Sequence, residues 1–306
     1  MKKLFTILAV AATLVSCAKE DVVREAEGEA IQFGNAFVDN ATRATDPSYS
    51  GTADFTSFKV WGTVAATETS TPVAIFADNT VTGSTVGANS VWTCNVKQYW
   101  IKDALYNFAA LANAGTVTLG TDLLPKTVTY TANQTDLVYA KSAQYTGKAS
   151  GNDLVAFTFQ HLLSKVNFTV NNGSQSATGY SFQVRDIEIA GATAGTCDVT
   201  TTPVTWTATA NDGYTIANIT VDNDTASADI GTALLVVPGN VTVSFNVDII
   251  VKGVVLGTKE YTSAVTTLAP ANSYNFVVTP TVGEEIQFTV EKQPEWTTPT
   301  TGVTLQ

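Results

Sequence analysis

The sequence predicts an all-β chain built as two tandem antiparallel β-sandwich domains. Three observations carry this. Apolar residues recur with period two in run after run, most clearly over residues 241–251, where Val241, Val243, Phe245, Val247, Ile249 and Val251 share one side. Gly, Asn, Asp and Pro break these runs at short intervals. No stretch keeps helical spacing through three turns.

The elements follow in order. Lys2 and Lys3 precede an apolar stretch over 4–15, too short for the ~20 residues a bilayer span needs, so it reads as a signal peptide. It ends Leu14-Val15-Ser16-Cys17, which resembles a bacterial lipobox. That resemblance implies cleavage before Cys17 and lipidation of its thiol, with acyl chains contributing ~0.8 kcal/mol of membrane affinity per buried CH₂. Residues 18–29 are acidic and small, a tether. Ile31-Gln32-Phe33, with Phe37 and Val38 beyond, is a short strand, and the polar run 40–48 is an exposed loop carrying Arg43 and Ala44.

From Phe55 the strand pattern is continuous. Residues 58–64 and 91–96 alternate, the latter placing Trp92, Cys94 and Val96 on one face. Residues 107–111 are apolar on both faces, as in a central strand. Strands over 154–159 and 165–170 flank Gln160-His161-Leu162-Leu163-Ser164, and the domain divide is placed there. The chain is thus divided into a signal and lipobox (1–17), a tether and first strand (18–43), an N-terminal sandwich (44–165) and a C-terminal sandwich (166–306). Lys252-Gly253 is a two-residue hairpin turn after the long strand.

Composition narrows the function. The 306 residues carry a formal net charge of -11, which repels nucleic acid. One His and three Cys leave little material for metal ligation or nucleophilic catalysis, so no enzyme, metal or cofactor is predicted. His161 reads as a hydrogen-bonded structural residue. Asp222-Asn223-Asp224 hints at a calcium loop but lacks the Gly and final Glu that such a loop needs, so it reads as a polar hairpin tip. Cys94 lies in a strand pattern and Cys197 in a Gly/Thr-rich turn; a disulfide between them and two separate thiols both stand. Trp61, Trp92, Trp100, Trp206 and Trp296 could form a sugar-stacking platform, but apolar same-face neighbours assign most of them to the core.

Two further patterns stand out. Arg occurs only at positions 24, 43 and 185; the first two lie in tether or loop, and Arg185 lies in a strand pattern over 180–189. Gly28-Glu29-Ala30-Ile31-Gln32-Phe33 is echoed by Gly283-Glu284-Glu285-Ile286-Gln287-Phe288. Either the two strands compete for one groove in one register, or the second is a strand of its own domain and the tail after Thr297 takes that role.

The lipobox, the 31–44 segment, Phe157-Thr158-Phe159-Gln160-His161-Leu162-Leu163-Ser164-Lys165-Val166, Leu235-Val236-Val237-Pro238 and the closing segment from Ile286 to Trp296 together resemble the fimbrillin family, subunits of type V pili of Bacteroidetes. The run Ala18-Lys19-Glu20-Asp21 also looks like the export signal of surface lipoproteins in that group. The resemblance implies transthyretin-like sandwiches and an outer-membrane lipoprotein precursor at the surface of a Gram-negative bacterium. It also implies partners: other pilus subunits and an Arg-specific maturation protease. Cutting between Arg43 and Ala44 would remove the strand carrying Ile31, Phe33 and Phe37. A C-terminal strand of the next subunit, with Ile286, Phe288 and Val290 as its apolar side, would fill the groove. The alternative is a surface glycan-binding lipoprotein.

Overall fold

A computed structural model describes residues 29–38, 56–83, 92–175 and 179–293, with only the backbone described at 35–38 and Gln293. No helix occurs among them. In the first half of the chain the strands are β1 (Phe33–Val38), β2 (Ser57–Ala65), β3 (Val73–Gly83), β4 (Trp92–Cys94), β5 (Leu105–Ala112), β6 (Val117–Leu119), β7 (Pro125–Thr131), β8 (Val138–Lys141), β9 (Tyr145–Thr146) and β10 (Val155–His161). In the second half they are β11 (Ser164–Asn171), β12 (Tyr180–Ala190), β13 (Ala194–Asp198), β14 (Thr205–Ala210), β15 (Tyr214–Ile216), β16 (Ile219–Val221), β17 (Ser227–Asp229), β18 (Leu234–Val236), β19 (Gly239–Val251), β20 (Val254–Thr262), β21 (Thr266–Leu268), β22 (Ser273–Thr279) and β23 (Gln287–Gln293).

The first half is a closed circuit of strands. Pairing runs β2-β3-β4-β1-β10-β8-β5, and β5 pairs back onto β2. β5 is the apolar run expected of a central strand, and it is hydrogen-bonded on both sides, to β2 and to β8. Inside lies a core of Phe58, Val60, Phe76, Trp92, Trp100, Tyr106, Phe108, Phe157 and Phe159. Gly62 fits because any Cβ there would come within 2.7 Å of the Phe108 ring.

The second half stacks a sheet containing β17, β11, β22 and β23 on one containing β15, β12, β19 and β20. Alternate residues of β19 and β12, including Val243, Phe245, Val247, Phe182 and Val184, meet Phe168 and Phe276 between the layers. Lys252 and Gly253 have φ of 48° and 80°, the left-handed pair that a tight β19–β20 hairpin requires.

Most pairings are antiparallel, but β1–β10 and β11–β22 are parallel. A sheet of β14-β13-β7-β6 also joins the two halves through the β7–β13 ladder, from Thr127↔Asp198 to Thr131↔Ala194. A third core lies at this junction, with Trp61, Leu111, Tyr130, Leu162, Leu163, Cys197 and Val237. Leu162 and Leu163 form the corner between β10 and β11. Each half therefore has a pole at its end farthest from that corner. The first pole carries Val73, Tyr99, Ile101 and Leu154; the second carries the β19–β20 hairpin tip.

Candidate functional site: the β1 strand and its groove

β1 is the stave that closes the circuit of the first half. Phe33 pairs with Val155 of β10 on one side and with Trp92 of β4 on the other. Backbone bonds extend this seam toward the first pole: Ile31 N–H donates to Gln98 O (2.8 Å), Trp100 N–H to Glu29 O (3.0 Å) and Val155 N–H to Gln32 O (2.9 Å). The Asn152 backbone N–H and side-chain amide both donate to Glu29 Oε2, at 2.8 and 3.0 Å. The Asn152 donors hold the Glu29 carboxyl below the usual carboxylate range.

The side chains alternate as the sequence expects. Ile31 and Phe33 are buried, at 6% and 3% exposure, while Gln32 faces solvent. The Phe33 ring sits among Phe58, Phe76, Phe108 and Phe157 at centroid distances of 6.4, 5.4, 6.2 and 6.1 Å. Phe37 pairs through its backbone with Thr158; its side chain lies outside the described residues, as do Cys17, Arg43 and Ala44. With β1 absent, β4 and β10 would present two bare edges flanking an apolar slot walled by Trp92, Val155 and Phe157. Burying an Ile or Phe is worth about 1.5–3 kcal/mol each, so exposing such a slot carries a substantial cost.

The second copy of the pattern lies in β23. It is an edge strand, paired antiparallel to β22 from Thr279↔Gln287 to Ser273↔Gln293. Ile286, Phe288 and Val290 are half-buried on the second core, and Gln287 and Thr289 are exposed. The Phe288 ring lies 5.4 Å from Tyr261, 5.8 Å from Phe276 and 6.1 Å from Phe245. In this chain β23 therefore serves its own sheet. Both copies show the same in-out alternation, but β1 has a partner on each side and β23 on one.

Other singled-out residues are placed as follows. Arg185 lies within β12; its Nε and Nη2 donate to Asp248 at 2.8 and 3.3 Å, and Nη1 donates to Asp186. Asp248 accepts a further bond from Thr258 (2.6 Å), and Arg185 first, with Thr258, holds its carboxyl below the usual range against the opposing effect of burial. His161 bonds to Asp136 through Nδ1 at 2.6 Å, both being nearly buried. The Asp222 region is a turn, with Thr225 N–H donating to Asp222 O. Trp61, Trp92 and Trp100 are core residues, and Trp206 donates its indole N–H to Leu162 O. Trp296 lies outside the described residues. A shallow cleft of about 340 Å³ beside β2 and β5, lined by Glu68, Asn107, Asp122 and Lys141, has no aromatic wall on which a sugar could stack.

One expectation is corrected. Cys197 sits not in a turn but inside β13, fully buried between Val128 and Trp206. Cys94 is half-buried in β4, and both are free thiols. Sequence reasoning also missed the groove walls and the parallel sense of β1 against β10. A Phe-x-Phe run such as 157–159 signals a buried strand, but nothing local signals which strand lies beside it.

Among the described residues the chain is all-β, with β1 closing one unit and β23 edging the other. A fimbrillin-like family model matches residues 42–294, and the chain belongs to that family. It is a structural, non-enzymatic protein by that membership. No curated protein matches it. Its fold resembles a fimbrial protein from Bacteroides vulgatus (15% identity, 88% of this chain and 99% of that one, TM-score 0.57). It also resembles proteins assigned to cell adhesion from Bacteroides uniformis (17% identity, 88% and 98%, TM-score 0.54) and Bacteroides ovatus (17%, 87% and 96%, TM-score 0.50).

Proposed function

We propose that this chain is a structural subunit of a cell-surface pilus that supports adhesion. It is exported as a lipoprotein precursor held at the outer membrane through Cys17. An Arg-specific protease cuts it after Arg43, and it polymerises as a strand from a neighbouring subunit replaces β1. The observation that carries this reading is the seat of β1: a terminal strand closes a strand circuit with two buried side chains and leaves two edges when withdrawn. The Arg distribution supports it. Arg185 is held in strand β12 by a bidentate carboxylate, while Arg43 follows β1 in a polar stretch.

The direction of the groove bears on the donor. A replacement must run parallel to β10, from the first pole toward the junction. β23 starts at the second pole and repeats Ile-Gln-Phe, so it enters correctly if the second pole of one subunit abuts the first pole of the next. Its own seven-residue ladder to β22 must then be given up. β23 itself ends at the junction, with Gln293 opposite Ser273, so a donor following it in sequence would start from that end.

The test is Arg43→Ala, together with deletion of 297–306. Arg43→Ala is expected to fold, retain its lipid and remain unpolymerised. Assembly that survives the tail deletion assigns donation to β23; assembly that stops assigns it to the tail. Polymerisation of Arg43→Ala at the parent's level overturns strand exchange triggered by this cut.

A further inference from the structure

Glu29 and Ala30 lead into β1 at the first pole, and exposed apolar side chains surround that entry. Trp100 N–H donates to Glu29 O, Ala30 bridges to Tyr99, and Asn152 binds the Glu29 carboxylate. Tyr99 is 38% exposed, Ile101 60% and Leu154, just after Asn152, 47%. Trp100 turns into the core, so Tyr99 and Ile101 on either side of it face out. Ile101 N–H donates to the Tyr106 hydroxyl (2.6 Å), which donates to Tyr99 O (3.3 Å), so the outward pair is fixed in place. A cluster of this kind marks a contact surface.

The chain leading into this pole says what covers it. Only residues 18–28 separate Cys17 from Glu29, so the two Cα atoms stand no more than about 40 Å apart. A lipid on Cys17 therefore holds this pole near a bilayer, while β19 alone carries the other pole a further ~40 Å beyond the junction. Charge takes little part, because Lys97, Lys102 and Lys148 are matched by Glu29, Asp103 and Asp153, with Lys102–Asp103 at 3.9 Å and Lys148–Asp153 at 3.1 Å. We propose that in the uncut precursor the first pole lies on the membrane, with Tyr99, Ile101 and Leu154 in the boundary between headgroups and acyl chains. The tether makes this second contact intramolecular, so a small apolar patch suffices. Lipid there covers the mouth by which a replacement strand enters beside β10. Because the tether and β1 are one peptide, losing β1 frees the pole as well. The contact rests on the lipoprotein reading above.

The test uses lipidated Arg43→Ala precursor in phosphatidylcholine vesicles containing a spin-labelled phosphatidylcholine quencher. In a Cys94→Ser background, an environment-sensitive fluorophore is placed at Lys102→Cys, beside the patch, or at Val255→Cys, equally apolar but at the far pole. Intact mass of the same sample reads the lipid on Cys17. The Lys102 probe is expected to shift blue and be quenched, with little change on adding salt, and the Val255 probe to stay in water. Ile101→Glu should lower the ratio of docked to undocked chain about tenfold or more, and uncharged Ile101→Ser should lower it in the same sense, with the urea midpoint unchanged. Lipidated chain whose Lys102 probe is not quenched, equal quenching of both probes, or Ile101 variants that dock like the parent would overturn the contact and leave the lipid anchor standing. A Cys17 without lipid would overturn the anchor, and the contact with it.

Discussion

Replacing Phe33 with Ala probes the seat of β1 directly. The ring is 3% exposed and meets four other Phe rings, so its removal deletes a large buried side chain from a close-packed aromatic core. Truncations of this kind cost about 3–5 kcal/mol. Urea unfolding of the uncut precursor should show this as a lower midpoint with unchanged slope. Tryptophan fluorescence is the signal, since Trp61, Trp92 and Trp100 are all buried in the first half. The same loss should loosen β1 after the cut. At ~1.4 kcal/mol per factor of ten, strand release should become roughly a hundredfold faster or more. Gln32→Ala is the control, because that side chain faces solvent and only its carbonyl is bonded. A cost below about 1 kcal/mol in the uncut chain, well under the cavity range, or an unchanged release rate after cutting, would refute the assignment of Phe33 as the anchor.

Other outcomes follow from the same geometry. Cys17→Ala is expected to leave an uncleaved or mislocalised precursor, and normal surface assembly of that variant, read by fractionation, would remove the lipid anchor from the account. Burial pushes the Cys197 thiol up to about 12, so mass spectrometry after alkylation at pH 8 should find Cys94 modified first and Cys197 only on unfolding. Because the folded chain holds the Asp248 carboxyl below its ordinary value, the Arg185 pair stabilises above that value and is lost as pH falls through the folded one. Asp248→Asn should flatten that acid limb of the stability profile and expose Arg185 to trypsin-like cleavage; an unchanged profile would show the pair contributes nothing.

Much of this was legible in the sequence because side-chain alternation is local. The period-two runs placed β5, β10, β11, β12 and β19 within a few residues, and Lys252-Gly253 marked the hairpin. Ile31 and Phe33 point inward and Gln32 outward, as their spacing required. What was not legible is long-range pairing. Cys197 read as a turn residue because Gly195 and five nearby Thr dilute the apolar pattern, yet β7 and β14 flank it on both sides. Those same pairings tie the halves together across the divide read near His161. The parallel seat of β1 likewise depends on a partner more than 100 residues away, which no local spacing encodes.

The central claim is that the surface form of this protein has lost β1 and carries a neighbour's strand in its place. Intact mass and N-terminal sequencing of the protein in filaments sheared from cells test it most directly. The account predicts a chain that begins at Ala44, lacks lipid and runs as a ladder of multimers until heated. Filaments whose subunits begin at a lipidated Cys17, with Ile31 and Phe33 still in place, would contradict it.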